Sequence, residues 1–221
     1  AVAPYVEGEA LLIGERSDGV SAAVALRGID PVHEAHVSAI GERLRSGSLA
    51  ALEPGSYRML LGAEVAARLG VAAGDTVVAA IAQGTVTPAG VVPRMRRFTV
   101  AGVFYSGMYE IDNGLALVNL GDAGRLFRTG DDVTGLRLKV RDPLRAPSVA
   151  REVARGMDGG FLVEDWTQRH ANFFRSIELT KRMMFFILLL VVAVAAFNIV
   201  STLVMAVKDK QPDIAILRTL G

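Results

Sequence analysis

One stretch near the C-terminus constrains this chain more than any other. From Met183 through Phe185, Phe186 and Leu188 to Met205, Ala206 and Val207, no charged residue occurs. As a helix, about 25 residues rise roughly 37 Å, against a hydrocarbon core of roughly 30 Å. Lys181 and Arg182 precede the stretch and Lys208 and Lys210 follow it, so long basic side chains can reach headgroups at both ends. A wholly buried core helix is the competing reading, but such helices rarely stay uncharged over this length. Residues 183–207 are therefore expected to span a membrane, with a soluble domain at one end and a short tail at the other. Charge does not orient the span, because both flanks are basic.

The rest of the chain sets further bounds. A net charge of +1 argues against nucleic acid, which asks for a concentrated basic surface. No cysteine is present, which removes disulfides, zinc-thiolate sites and thiol catalysis together. The chain begins at Ala1 and stops at Gly221 directly after an apolar helical pattern, so it is expected to be a section of a longer protein.

Read in order, Tyr5–Gly14 and Val20–Ile29 alternate like strands around a turn at Arg16–Gly19. Pro31 reads as a break, and Val37, Ile40 and Leu44 recur at helical spacing over Glu34–Leu44. A strand at Tyr57–Leu61, a helix at Ala63–Leu69 closed by Gly70, and strands at Thr76–Ala82 and Phe98–Tyr105 follow. The intervening Gln83–Arg97 is too long for a tight hairpin turn and reads as a projecting loop. Pro88 and Pro93 remove backbone donors there, and Gly90 permits a positive φ. Further on come an Asn113-Gly114 turn, a strand at Leu115–Leu120, and a short helix capped by Asp122 that reaches Phe127. A strand at Gly135–Val140, a helix opened by Pro143 or Pro147, and a short strand at Phe161–Glu164 complete the domain. From Trp166, the stripe Trp166, His170, Phe173, Phe174, Ile177 and Met184 predicts one helix entering the membrane unbroken. Strands and helices interleave irregularly, which favours an α+β fold.

Catalytic chemistry is not legible. There is no Gly-x-x-x-x-Gly-Lys-Ser/Thr loop and no Gly-x-Ser-x-Gly elbow. His33-Glu34-Ala35-His36 departs from His-Glu-x-x-His and lacks an evident third ligand, so it reads as a solvated helix start. No enzymatic activity, cofactor or metal is expected in this section. Within the span, Asn198, Ser201 and Thr202 share a face that would meet another helix, unless the hydroxyls bond back to their own helix. In the tail, Pro212 suits a first helical turn, and Ile214, Leu217 and Arg218 would share one face of a short helix. Asp213 complements its positive end.

Several stretches carry a family likeness. Phe197–Lys210 followed by Asp213–Gly221 is the longest, and Gly84-Thr85-Val86-Thr87-Pro88-Ala89-Gly90-Val91-Val92-Pro93-Arg94 with Arg97-Phe98-Thr99-Val100 is the second. Gly114-Leu115-Ala116-Leu117 and Asp165-Trp166-Thr167 add to them. With these motifs the chain resembles the LolC/LolE family, permease subunits of the bacterial lipoprotein-releasing ABC transporter. The resemblance implies a two-lobed periplasmic domain of the MacB-like ABC permease type over 1–182. One lobe would be discontinuous (about 1–52 and 131–182) and one inserted (about 53–130), followed by a transmembrane helix at 183–207 and a cytoplasmic coupling helix at 208–221. It implies an inner-membrane location, periplasm first, a second permease subunit, a separate ATPase LolD, lipoprotein substrates and a periplasmic carrier LolA. By the same resemblance, Thr87, Pro88, Ala89, Gly90, Val91, Val92, Pro93, Arg94, Arg96 and Arg97 would form a carrier-binding hook. Asp213, Ile214, Leu217 and Arg218 would contact the ATPase. A related MacB/FtsX-like permease for efflux or cell-wall hydrolase control would share the fold but has less use for a Pro-bounded loop. A membrane-anchored periplasmic sensor has no need of the tail.

Overall fold

The structure is a computed structural model. It describes all residues except 16–18, 88–89, 158, 170 and 220–221, and gives the backbone alone for 83–87, 90–92, 169, 171, 213, 216, 217 and 219. The chain divides between Arg141 and Asp142 into two compact units.

The first unit is built on eight strands: β1 (Val2–Gly14), β2 (Ser21–Ile29), β3 (Leu44–Ser46), β4 (Arg58–Gly62), β5 (Thr76–Thr87), β6 (Gly90–Phe104), β7 (Leu115–Asn119) and β8 (Gly135–Leu138). Four helices accompany them: α1 (Pro31–Val37), α2 (Ala63–Leu69), α3 (Tyr109–Gly114) and α4 (Leu120–Phe127). Pairing runs β2-β7-β4-β6-β5-β1, and β1 then pairs β2 antiparallel from Tyr5↔Ile29 to Ile13↔Ser21. Six strands thus close a ring of ladders, which leaves no open edge between first and last. β8 adds to the Val2 end of β1, and β3 adds to the far end of β6.

Burial follows the strand period. In β1, Leu12 is buried and Leu11 faces out, because successive side chains take opposite sides. β4 and β7 instead carry unbroken apolar runs, Met59-Leu60-Leu61 and Leu115–Val118, because both of their faces are covered. Met59, Leu61, Phe98, Val100 and Val118 pack with Val65 and Leu69 of α2 and with Leu126 of α4. Leu60, Phe104, Leu115 and Leu117 form a second cluster with Ile29, Leu49 and Leu52. Gly62 cannot carry a side chain, since a Cβ there would stand 2.2 Å from the Asp112 carbonyl oxygen.

Several expectations change. The helix expected over Glu34–Leu44 is three short elements: α1, a 3-10 turn at Ile40–Arg43, and β3. Pro31 opens α1 rather than breaking the pattern, with the Asp30 carboxylate accepting from Val32 N at 2.9 Å. Ser38 is extended (φ −120°, ψ 148°) and its hydroxyl accepts from Ile40 N, which ends the helix there. Asp122 is not the cap of α4; Asn119 is, accepting from Gly121 N at 2.9 Å. Phe161–Glu164 forms no strand. Finally, the boundaries expected at 52/53 and 130/131 do not separate two lobes. Strands from both expected lobes share one sheet, because β1 and β2 pair with β5 and β7 of the stretch meant to be inserted.

The second unit holds a 3-10 turn (Pro143–Arg145), α5 (Ala146–Gly156), α6 (Trp166–Arg169) and α7 (Ala171–Thr219). Pro147 lies in the first turn of α5, where a missing N–H removes no helical bond. Trp166 Nε1 donates to the Pro143 carbonyl at 2.8 Å, and the Trp166 ring meets Phe174 edge-on at 5.3 Å. Asp165 caps α6, accepting from the backbone N of Thr167 and of Gln168. A hydrogen bond from the Thr167 side chain holds the Asp165 carboxyl below its ordinary pKa. α7 runs through Pro212 without the expected break. There the proline forfeits one backbone donor and its ring crowds the carbonyl one turn back, at Lys208, yet the helix continues to Thr219.

Candidate functional site

The segment Gln83–Arg97, expected as an open loop, is a β-hairpin. β5 and β6 pair from Thr76↔Thr99 to Ile81↔Arg94, and again from Thr85↔Val92 through Val86↔Val91 to Thr87↔Gly90. Only Pro88 and Ala89 remain for the connection, and both lie outside the described residues. Between the two ladders, residues 82–84 of β5 face the single residue Pro93 of β6. This explains how a proline sits within a strand. It occupies an irregularity where the ladder is interrupted, so its missing N–H breaks no bond.

Beyond this point the hairpin stands by itself. β1 accompanies β5 only along Val77–Ala80, and β4 joins β6 only from Thr99 onward. Among the described residues, no third strand pairs with 82–87 or 90–93. Because residues 82–84 face Pro93 alone, the reach is set by the four residues 90–93 of β6, an arm of roughly 13 Å.

The arginines at its base are engaged with the domain. Arg94 Nη1 donates to the Leu126 carbonyl at 3.4 Å. The Arg96 guanidinium lies 4.0 Å from the Tyr57 ring centroid, a cation–π contact. Arg97 Nε pairs with Glu15 Oε1 at 2.9 Å. Tyr57 in turn meets Phe98 edge-on at 5.8 Å.

What fixes Tyr57 is a residue the sequence did not single out for that role. Asp122 is fully buried, and its two carboxylate oxygens accept from Gly55 N at 2.8 Å and Tyr57 N at 3.0 Å. The loop before β4 is thereby clamped to α4, and Tyr57 holds a positive φ of 48°. The contacts lie 65 and 67 residues away in sequence, so no local pattern could reveal them.

In the second unit, residues Asn172–Pro212 form a helix long and apolar enough to cross a membrane, and none of its most apolar window is buried. Asn198, Ser201 and Thr202 are exposed on it. The Thr202 hydroxyl donates to the Asn198 carbonyl at 2.8 Å, so it is satisfied within its own helix. Asp213 and Leu217 are described by backbone alone, while Ile214 and Arg218 are exposed near the end of α7. No group of three or more potential metal ligands exists among the described residues.

Comparison with known proteins adds four likenesses. The family model of the MacB-like periplasmic core domain matches residues 1–155. The lipoprotein-releasing system transmembrane protein LolC of Xylella fastidiosa is 49% identical over 99% of this chain and 52% of its own length. The corresponding protein LolE of Haemophilus influenzae is 32% identical over 90% of this chain and 47% of its own. The chain therefore spans about half the length of these curated relatives. Among solved structures, the extracellular domain of the ABC-type transporter YknZ from Gram-positive bacteria aligns over 70% of this chain and 72% of its own. Its identity is 15% and the TM-score 0.44.

Proposed function

This chain belongs to the family built on the MacB-like periplasmic core domain, and from that premise we propose that it acts in lipoprotein release. It is a membrane subunit of an ABC transporter in the bacterial inner membrane, paired with a second LolC/LolE-type permease. ATP hydrolysis resides in a separate subunit, LolD. Lipoproteins leave the membrane through the assembly and pass to the carrier LolA.

The observation that carries this reading is the free-standing hairpin. A domain closed on itself has no need of an arm of roughly 13 Å that, among the described residues, pairs only with itself, and recognition commonly sits on such extensions of a rigid scaffold. Its similarity to LolC over nearly the whole chain supports assigning the arm to carrier docking. Among the described residues the outer edges of the arm are unpaired, so they offer backbone donors and acceptors to an added strand. To test it, residues 85–92 are replaced by an Asn-Gly turn, leaving Pro93 and Arg94 in place. LolA binding should be lost while the melting temperature stays unchanged. Retained binding would place the carrier elsewhere.

The other end of the chain is assigned to energy coupling. Residues 213–218 form the last turns of α7, beyond the apolar span, where a helix end can be gripped by the ATPase. Leu217→Asp should uncouple ATP hydrolysis from release while the chain stays in the membrane. Unchanged lipoprotein release in that variant would sink the assignment.

A further inference from the structure

The base of the hairpin contains one contact that docking by the tip does not use. On β6, Val100 and Phe98 face the core, and the same side of the strand continues through Arg96 to Arg94 as the core ends. Arg96 stops over Tyr57, but Arg94 crosses to the end of α4, where Nη1 meets the Leu126 carbonyl at 3.4 Å. That separation is long for a neutral hydrogen bond. The acceptor, however, belongs to the last turn of a helix, whose negative end favours a cation. Arg94 Nε is buried without a hydrogen-bond partner, as is Thr129 Oγ1 just past the left-handed cap at Arg128. A guanidinium free to reach solvent would not keep a donor buried and unpaired, so the helix end is holding this one. Arg94 also forms the last regular pair, with Ile81, and directly follows Pro93 at the interrupted ladder. Anchor and joint therefore coincide.

We infer that Arg94 is the positioning residue of the hairpin: by fastening β6 to the C-terminus of α4, it sets the direction in which residues 82–87 and 90–93 leave the sheet. The consequence for binding rests on the docking reading above, but the geometry does not. Arg94 acts without touching the partner, so its loss falls on the population of correctly aimed hairpins. If that population drops to about one tenth, apparent affinity falls about tenfold. The loss appears in the association rate, whereas a lost contact would appear in dissociation.

The chain contains no cysteine, so spin labels can be placed singly. Labels at Ala67→Cys, exposed on α2, and Thr87→Cys report the hairpin direction in the full chain held in nanodiscs. Arg94→Met should broaden the distance distribution, and Arg94→Lys should restore it. Without labels, Arg94→Met should slow LolA association about tenfold at an unchanged dissociation rate, with recovery in Arg94→Lys. An unchanged distribution in Arg94→Met overturns the inference. So does faster dissociation at unchanged association, which would make Arg94 a contact residue. A broadened distribution with both rates unchanged keeps the geometry and removes the docking reading instead. Should Arg94→Met fail to fold, Arg94→Gln keeps a neutral donor without the charge and takes its place.

Discussion

β5 and β6 are each a single strand obeying two sets of rules. Along 76–81 and 94–99 they belong to the ring, and Val77, Ala79, Ile81 and Phe98 are buried in its core. Along 82–87 and 90–93, among the described residues, they pair only with each other. Inside the ring a slip of one residue would turn every core side chain outward, so register is fixed by burial. Outside it nothing enforces that register, and the ladder shifts there, with three residues facing Pro93. A recognition arm is thus extended from strongly specified structure by strands whose own specification has weakened.

The largest effect expected from this contrast is on stability. Phe98 is fully buried between the ring and Tyr57, so Phe98→Ala should destabilise the first unit by about 4 kcal/mol, read by denaturant unfolding. Pro93→Ala, five residues before it on the arm and exposed, serves as the comparison and should cost under about 0.5 kcal/mol. Comparable losses at the two positions would mean that the arm is part of the cooperative core.

Next in size is the clamp that connects the two regions. Asp122→Ala leaves two backbone donors, Gly55 N and Tyr57 N, without their buried acceptor. A loss of about 3 kcal/mol is expected, since hydrogen bonds to a charged group carry more than neutral ones. Hydrogen exchange at Gly55 and Tyr57 should rise before that of β7. Uniform change across the unit would show that Asp122 supports the whole sheet and not this loop.

The same contrast explains what could be read beforehand. Strands β1, β2, β4 and β7 were legible because burial imposes a pattern on their residues. The α+β class and the apolar span followed from patterns equally local. Pro93 does sit where a regular ladder is interrupted, and the conclusion of an open loop went one step too far. A hairpin with no flanking strands and an interrupted ladder tolerates what a sheet interior does not. Closure of the ring was out of reach, since it depends on β2–β7 and β1–β5 pairs far apart in sequence. The Asp122 clamp was hidden for the same reason, and an acidic residue in a first helical turn is more simply read as a cap. Continuation of α7 through Pro212 depends on the backbone bonds of the whole helix rather than on the residue itself.

The smallest effect separates the three arginines at the arm's base. Arg94 and Arg96 lie on the side of β6 that leads out of the core, whereas Arg97 lies on the other and pairs with Glu15 near the end of β1. The side chains of that pair are 78% and 41% exposed, so water and salt screen them. Holding two long side chains in one geometry also offsets much of the attraction. A double-mutant cycle of Glu15→Ala and Arg97→Ala should give a coupling below about 0.5 kcal/mol, shrinking further at high salt. Arg97→Ala should slow LolA association only modestly and in a way that vanishes at high salt, because a rim charge steers encounter without changing where the arm points. A coupling above about 1.5 kcal/mol would place Glu15–Arg97 among the structural ties of the arm. The division between an anchored side of β6 and a solvated one would then fail, and the direction of the hairpin would have to be assigned to both sides of the strand.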